Sequence, residues 1–311
     1  MHIVITDSGV GGLSVVAYAE RFVRTQGFTE PVQLTFANAA PANDYGYNAM
    51  PTHAAKIETF DRFLRNVTAR FAPDTIYVAC NTLSVLLPEI AIPANGIIET
   101  GVALLLRALE ADPRSVAIVF GTQTTIDAGV YPRALQERGI DAKRIVSQAC
   151  PGLADTISED REGSRAQAEI RRWVAAATAK MPDDDAPIVA CLACTHYGYR
   201  KEFFEEALLD RGQGAGGGAQ VMDLPKTSRA AGKDITCAPP PAPCPLVINP
   251  NESAVDDLFD RTGASHDVDV RFVTRYAIPP ATIETLTWLL GEISPRTVDA
   301  LQHFEHVPDL F

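Results

Sequence analysis

The chain has 311 residues, 46% of them hydrophobic, and a formal net charge of −12 at pH 7. That length accommodates one large domain or two ordinary ones, and the excess of acidic residues argues against non-specific nucleic-acid binding, which needs clustered lysine and arginine. No apolar run is long enough to span a membrane, and the first residues enter a strand without the basic region of a signal peptide. The six cysteines are too few and too scattered for a disulfide scaffold. We therefore expect a cytoplasmic protein with reduced thiols that binds neither nucleic acid nor a membrane.

A glycine-rich turn follows the first predicted strand. Residues 3–6 form that strand, Asp-Ser-Gly-Val-Gly-Gly follows at residues 7–12, and a helix is predicted over residues 13–24. Free backbone N–H groups at a helix N-terminus bind anions. Because the turn lacks the complete dinucleotide fingerprint and the phosphate-loop lysine, we interpret it as a turn that binds a carboxylate or a phosphate. Asp7 could cap the helix or, directly after a strand, act in catalysis.

The next predicted elements bring in a first cysteine. Residues 32–37 form a strand that leads into an irregular loop, 38–50, and a helix over residues 53–70 returns the chain to the sheet. The apolar run at residues 75–79 is then a strand, and it ends in a Cys-Asn-Thr motif at residues 80–82. Ligands of open α/β sheets bind beyond the carboxyl ends of the strands, so this motif lies where chemistry is expected.

The second half of the chain repeats this arrangement. Its predicted elements are a crossover at 91–101, a strand at 116–120, a hydroxyl-rich turn at 121–125, a short strand at 145–151 and helices at 164–179 and 201–210. The apolar run at residues 188–193 is typical of a buried strand, and it ends in Cys-Thr-His at residues 194–196. Two buried structural cysteines would also explain the pattern. The polar residues that follow each cysteine favour a functional site.

The cysteine spacing does not predict a metal site. Cys191 and Cys194 form a Cys-x-x-Cys pair, but a redox pair usually opens a helix and zinc usually needs a second pair of ligands. Here the pair lies on a strand with no such partner nearby. Cys237 and Cys244 have the wrong spacing for a zinc knuckle, so we predict no metal.

The C-terminal third contributes loops and few predicted elements. A glycine-rich stretch at 212–218 and a proline-rich stretch at 238–245 are typical of surface loops, and one strand, 268–273, and one amphipathic helix, 282–291, follow. Strands that alternate with helices imply an α/β fold with mainly parallel sheets. Because the two cysteine motifs are alike, we expect two similar lobes with a cleft between them.

Taken together, these motifs resemble those of glutamate racemase, a member of the cofactor-independent aspartate/glutamate racemase superfamily. They occur in the same order, with fitting spacing, over roughly the first two thirds of the chain. The motifs are Asp-Ser-Gly-Val-Gly-Gly at 7–12, Ala-Cys-Asn-Thr at 79–82, Gly121-Thr122 with Gly129 and Tyr131, Gln-Ala-Cys-Pro at 148–151, and Cys-Thr-His-Tyr at 194–197.

The resemblance implies two pseudo-symmetric α/β domains. The first would combine residues 1–97 with 212–311, and the second would comprise residues 98–211. The implied activity is racemisation of an acidic amino acid, L-glutamate to D-glutamate for peptidoglycan synthesis in the cell wall, by an isomerase without a cofactor. The implied partner is a small acidic substrate, and a homodimer is allowed because members of the family often dimerise.

The resemblance also implies which residues act. Cys80 and Cys194 would be the two catalytic thiols, Asp7 would assist Cys80, and His196 would assist Cys194. Racemisation next to a carboxylate needs a proton removed from one face and another delivered to the opposite face. A free cysteine with a pKa near ~8.5 is mostly protonated at pH 7, so a carboxylate and an imidazole must help to form the thiolate. The residues implied to hold the substrate are Ser8, Tyr45, Gly46, Asn81, Thr82, Thr125 and Thr195.

The chain departs from the family pattern in the loop at 38–46, where residues 38–43 do not reproduce the family's Asp-Thr-Ala-Arg run, at the position of an assisting glutamate, and in its longer C-terminal third. Asp44 stands where the family has proline, directly before Tyr45, and Ser158 stands where the family has an assisting glutamate, with Glu159 one residue later. Two like charges ~4 Å apart repel by about 4 kcal/mol at an effective dielectric of ~20. If it faces the cleft, Asp44 would therefore disfavour glutamate; if it turns outward, as loops allow, it would not.

Other functions stay open at this point. A related enzyme with two cysteines could act on aspartate, a hydantoin or an unsaturated diacid. A non-catalytic relative could instead bind a small anion or another protein. The presence of both cysteines together with Asp7 and His196 argues against a complete loss of catalysis.

Overall fold

The computed structural model describes residues 1–42, 45–210, 244–259 and 261–311. In order along the described chain, the strands are β1 (His2–Asp7), β2 (Val32–Asn38), β3 (Thr75–Val78), β4 (Asn95–Gly96), β5 (Val116–Gly121), β6 (Ile145–Ala149), β7 (Ile188–Ala193), β8 (Leu246–Ile248), β9 (Val268–Thr274) and β10 (Glu305–His306). They form two sheets in which the paired strands are parallel. The predicted α/β fold with mainly parallel sheets is therefore confirmed.

The helices connect these strands. They are α1 (Leu13–Gln26), α2 (His53–Phe71), α3 (Asn81–Ser84), α4 (Ile98–Ala111), α5 (Gln123–Asp127), α6 (Val130–Glu137), α7 (Leu153–Glu159), α8 (Ser164–Thr178), α9 (Lys201–Asp210), α10 (Pro250–Leu258), α11 (Pro280–Leu290) and α12 (Pro295–Gln302). Among the described residues, none of them is both long and apolar enough to cross a membrane.

Helix α2 illustrates how sequence determines these elements. The Thr52 side chain accepts a hydrogen bond from the backbone N–H of Ala55 and so caps the first turn. Phe60, Phe63, Leu64 and Val67 follow at helical spacing, and all of them are buried. This stripe packs the helix on one face of the first sheet.

The first sheet places the glycine-rich turn and the first cysteine motif side by side. Its strand order is β10-β9-β2-β1-β3-β4, so β1 lies between β2 and β3. Both neighbours run parallel to β1, and Asp7 at the end of β1 lies opposite Asn38. The turn after β1 and the Cys80 motif after β3 therefore leave the same edge of the sheet, where ligands of such sheets bind.

The second sheet presents the second cysteine motif in the same way. Its strand order is β6-β5-β7-β8, and all six residues of β7 are buried. Gly121 at the end of β5 lies opposite Ala193 at the end of β7. Cys194 follows directly, beside the hydroxyl-rich turn that begins at Thr122.

The C-terminal segment contributes to both sheets. Strands β9 and β10 join the first sheet, whereas β8 pairs with β7 and extends the second sheet. Three apolar residues after a proline-rich stretch are too few to reveal a strand by periodicity. The division into one domain of residues 1–97 with 212–311 and a second of residues 98–211 stays a prediction.

Some of the expected loop sequence is not part of this description. The glycine-rich stretch at 212–218, Cys237 and most of the proline-rich stretch, 238–243, lie outside the described residues. Their interpretation as surface loops stays a prediction.

A shared apolar core joins the two sheets. Ile3 and Ile5 of the first sheet belong to the same cluster of buried residues as Ile118, Phe120 and Leu192 of the second. Separate clusters cover the far face of each sheet. The two sheets are therefore packed together through the helices between them, and their carboxyl edges meet at one cavity.

Candidate active site

A cavity of about 610 Å³ lies where the carboxyl edges of the two sheets meet. The four predicted catalytic residues, Asp7, Cys80, Cys194 and His196, all line it. Of the seven predicted substrate contacts, six line the same cavity: Ser8, Tyr45, Gly46, Asn81, Thr82 and Thr195. Residues that lie far apart in the sequence thus converge on a single space.

The first thiol lies beside the glycine-rich turn. Cys80 follows β3 and is buried, and its Sγ lies 3.0 Å from Ser8 Oγ. Burial raises the pKa of the Cys80 thiol to about 12; the Asp7 charge acts in the same direction, and the hydrogen bond with Ser8 opposes it. In the free protein this group is therefore a protonated thiol. Another base must remove its proton before Cys80 can take a proton from a substrate.

The second thiol lies beside an imidazole. Cys194 Sγ is 4.0 Å from His196 Nδ1. Burial raises the pKa of Cys194 well above its ordinary value, whereas burial lowers the pKa of His196, against the charges of Asp7 and Asp155. At neutral pH, His196 is therefore an unprotonated imidazole that can accept the proton of the Cys194 thiol.

Asp7 connects the two halves of the site. Thr195 Oγ1 donates a hydrogen bond of 2.7 Å to Asp7 Oδ2, and both side chains are buried. Tyr199 OH donates to the carbonyl of Gly11 over 3.1 Å. The Cys-Thr-His motif of the second sheet therefore rests directly on the turn that follows β1.

This contact leaves no space for a side chain at Gly11. A Cβ atom at Gly11 would lie 2.5 Å from His196 Nδ1 and closer still to Thr195 Oγ1, whereas a Cβ at Gly9 would have its nearest neighbour, His196 Cε1, at 3.5 Å. The glycine is required here by the close approach of the two lobes.

We therefore expect Gly11→Ala to destabilise the protein and impair turnover far more than Gly9→Ala does, although Gly9 also lines the cavity. Overpacking of this kind costs about 1–3 kcal/mol of stability, and displacement of His196 by about 1 Å would lower turnover by on the order of 100-fold. Thermal unfolding and steady-state rates of the two variants measure this difference. Equal stability and equal rates in both would contradict the close packing of the turn.

Only the oxygen of the Asn81 side-chain amide has a hydrogen-bond partner among the described residues. Tyr131 OH donates to Asn81 Oδ1 over 2.7 Å. Asn81 Nδ2 is buried and has no hydrogen-bond partner among the described residues. A buried donor without a partner is costly, and this one belongs to a residue that lines the cavity. Its N–H groups are suited to a bound carboxylate.

The hydroxyl-rich turn enters the site through Thr122, which belongs to one of the sequence motifs but was not predicted to contact the substrate. Thr122 lines the cavity, with its Oγ1 2.8 Å from Thr82 Oγ1. The predicted contact Thr125 is not among the lining residues; its Oγ1 lies 3.0 Å from Thr122 Oγ1. Thr122 caps α5 by accepting from the N–H of Thr125. Because a cap precedes the first helical turn, it is Thr122 that faces the opening.

The loop before α2 is only partly described. Tyr45 is 42% exposed, and Gly46 follows it at the cavity wall. Asp44, whose charge was predicted to disfavour glutamate if it faced the cleft, lies outside the described residues.

Helix α7 adds two carboxylates to the cavity: Glu159, which the comparison with the family pattern had pointed out, and Asp155, which no motif indicated. The Ser158 hydroxyl, at the position of the expected glutamate, donates to the Ala154 carbonyl. Asp155 and Glu159 lie on the same helix face and line the cavity. The charge of Asp155 acts on His196. Helix α7 has only seven residues, too few for a helical period to be recognised in the sequence.

The far wall of the cavity comes from the C-terminal segment. Tyr276, Ile278, Pro279 and Thr282 line it, and Tyr276 OH accepts a hydrogen bond of 3.1 Å from Asn38 Nδ2. No motif marks this segment in the sequence. Among the described lining residues there is no lysine or arginine, so any bound anion would depend on neutral donors. No group of three or more histidine, cysteine, aspartate or glutamate side chains suited to a metal occurs in the described part of the chain.

Comparisons with known proteins give relatives by sequence. No protein-family model matches the chain. It is 28% identical to the glutamate racemase of a Nitratiruptor species over 199 residues, which are 62% of this chain and 70% of that protein. It is 29% identical to the glutamate racemase of Aquifex pyrophilus over 216 residues, 68% of this chain and 76% of that one.

Solved structures agree at the level of the fold. A glutamate racemase isoform from Bacillus anthracis superposes with a TM-score of 0.63 at 20% identity, covering 93% of each chain. The glutamate racemase of Francisella tularensis, solved with D-glutamate, superposes with a TM-score of 0.61 at 18% identity and covers the same share of each chain. In sequence and in fold the chain resembles glutamate racemases, as its motifs predict.

Proposed function

We propose that this chain is an isomerase that interconverts L- and D-glutamate without a cofactor, using Cys80 and Cys194 as its two bases. The observation that carries the proposal is the placement of two buried thiols, each at a strand end of a different sheet, on one cavity. Glutamate is supported by the sequence relatives, which are glutamate racemases, and by the neighbour that was solved with D-glutamate.

The two thiols would work in opposite protonation states. One, as a thiolate, takes the proton from the α-carbon on its face of the substrate and becomes a thiol. The other, as a thiol, delivers its own proton to the opposite face and becomes a thiolate. The α-carbon is then inverted, and the two sulfurs have exchanged states. General acid–base catalysis requires each sulfur to lie within hydrogen-bonding reach of the proton that it moves.

Asp7 and His196 would prepare the thiols. Since burial raises the pKa of both thiols, neither ionises readily by itself. Asp7 carries a buried carboxylate between the two motifs, and His196 is an unprotonated imidazole 4.0 Å from Cys194 Sγ. Each can take a thiol proton as the substrate binds, and each can return it when the site resets.

Neutral donors would hold the carboxylates and the growing negative charge. The Asn81 amide, with its unpartnered Nδ2, and the hydroxyls of Ser8 and Thr82 line the cavity. Thr195 lines it too, but because its hydroxyl donates to Asp7, that oxygen could only accept a hydrogen bond from the substrate. In a buried site such donors stabilise charge more strongly than they do in water, because they are already oriented when the reaction begins. We assign them to substrate binding.

The cellular setting follows from the same resemblance. D-glutamate is a component of peptidoglycan, so the enzyme would supply cell-wall synthesis from the cytoplasm. A homodimer would be consistent with the family.

We expect the purified protein, after exhaustive chelation and with no added pyridoxal phosphate, to racemise both enantiomers of glutamate. In deuterated water the product should carry deuterium at the α-carbon, because the proton that is delivered comes from a thiol that exchanges with solvent. Circular dichroism and proton NMR follow both changes.

The same assay on aspartate, glutamine, a hydantoin and an unsaturated diacid separates the alternatives. Faster turnover of any of these than of glutamate would replace the assigned substrate. Activity that is lost on chelation and restored by a metal, or gained only with pyridoxal phosphate, would reject the cofactor-independent mechanism.

A further inference from the structure

We infer that Asn251 is a positioning residue that fixes the Cys-Thr-His motif of the second sheet against the glycine-rich turn of the first. The inference concerns catalysis in the proposed reaction and rests on that function. Asn251 lies in the first turn of α10, is fully buried, and is not among the residues that line the cavity. It therefore acts through its neighbours.

Both hydrogens of the Asn251 amide are used, and they point to different parts of the molecule. Nδ2 donates to the backbone carbonyl of Thr195 over 2.8 Å and to Ser14 Oγ over 2.9 Å. Ser14 Oγ in turn donates to the carbonyl of Gly11 over 2.9 Å. One side chain thus connects the second cysteine motif with the first turn of α1 and, through Ser14, with the glycine-rich turn.

Thr195 is consequently held at two points. Its carbonyl accepts from Asn251, and its hydroxyl donates to Asp7. Thr195 stands between Cys194 and His196 in the chain, so its position sets where both of these groups meet the cavity. A group whose backbone and side chain are both fixed has little freedom to move the thiol away from the substrate.

The chemistry of the link requires an amide. Each of the two partners of Nδ2 is an oxygen atom, so a residue here must donate twice. Asn251 Oδ1 has no hydrogen-bond partner among the described residues, which means that the side chain is oriented by its donors alone. A carboxylate of the same shape could not donate, and it would face the Thr195 carbonyl with a negative charge.

Three variants test this role: Asn251→Ala, Asn251→Asp and, as a matched control, Glu252→Gln. Glu252 is the next residue on α10 and contacts Asn249 and Lys201. We expect kcat to fall by about 10- to 100-fold in both Asn251 variants, with KM within about threefold of the wild-type value because Asn251 does not touch the substrate. Glu252→Gln should keep both constants.

A second measurement separates positioning from folding. The ring resonances of His196, assigned by comparison with His196→Gln, should shift in Asn251→Ala and stay in place in Glu252→Gln, in samples shown to be folded by thermal unfolding. This readout does not depend on racemisation. If the wild-type protein shows no activity, the proposed function fails, while the shift of His196 still tests the Asn251 link.

The inference is overturned by unchanged kcat in Asn251→Ala, or by unmoved His196 resonances in the folded variant. It is also overturned if KM rises in proportion to the loss of kcat/KM while kcat is retained, since that would place Asn251 in substrate binding.

Discussion

Replacing either Cys80 or Cys194 by serine should lower the rate of racemisation by about a thousandfold or more. A positioned acid or base contributes on the order of 10²–10⁴-fold, and a serine hydroxyl gives up its proton far less readily than a thiol does. Both thiols line the cavity, and in the proposed mechanism each serves one face of the substrate, so neither thiol can replace the other. The rate of conversion in both directions measures the loss.

The single-thiol variants should also behave differently from each other. Each keeps one group that can take a proton from one face and return a proton to the same face. In deuterated water, each variant should therefore exchange the α-proton of only one enantiomer, and the two variants should differ in which enantiomer that is. Proton NMR of D- and L-glutamate with each variant tests this directly.

Cys191→Ser is the matched control for these variants. Cys191 lies on the same strand, three residues before Cys194, and is fully buried, but it does not line the cavity. Near-normal turnover in this variant is expected. Near-normal turnover in Cys80→Ser would refute the use of two bases.

The sequence predicted the parts of the site that lie at strand ends. Asp7, Cys80 and Cys194 each follow an apolar run of a parallel sheet, and the carboxyl edge of such a sheet is where ligands bind. The change from apolar to polar residues at the end of each run lies within a few positions of the sequence. It can therefore be recognised without knowing which residues lie nearby in the fold. The predicted strands and long helices lie within a few residues of the observed bounds, whereas β8 and β10 were not predicted.

The site residues that the sequence did not predict were missed for a different reason: their contacts lie far away along the chain. Asn251 contacts Ser14 across 237 positions of the chain, and Tyr276 approaches Asn38 across 238. Nothing local distinguishes these residues from other polar or aromatic residues of the C-terminal third. Short elements such as α7 and β8 were missed because they span too few residues for a period to emerge. The predicted contact Thr125 does not line the cavity, whereas Thr122 does; the sequence leaves uncertain where α5 begins and which threonine of the turn faces the opening.

Replacing Asp7 by asparagine is expected to have the next largest effect, although two consequences of the change oppose each other. The Asp7 charge contributes to raising the pKa of both thiols, so its removal alone would favour the thiolates. Burial is the larger cause of those raised values, and it is unaffected by the substitution. The fraction of thiolate therefore increases only to a limited extent, by about tenfold for each unit by which the thiol pKa falls.

The loss is larger. Asparagine can still accept the hydrogen bond of Thr195 and has the same shape, but it cannot take a proton from Cys80. A missing acid–base group costs on the order of 10²–10⁴-fold, so we expect a net loss of about 100-fold near neutral pH. Because the pKa of Cys80 is raised to about 12, solvent must then form the thiolate. Its fraction rises about tenfold for each pH unit below that value.

The kcat/KM of Asp7→Asn should therefore climb steadily with pH through the alkaline range, whereas that of the wild-type protein should depend much less on pH there. Steady-state rates from neutral to alkaline pH compare the two, with Asp127→Asn as a control, because Asp127 is not among the residues that line the cavity. A wild-type rate at neutral pH in Asp7→Asn would show that the Cys80 thiolate forms without this carboxylate. A rate that is low but independent of pH would mean that Asp7 holds Thr195 and the second motif in place, with no part in removing the proton.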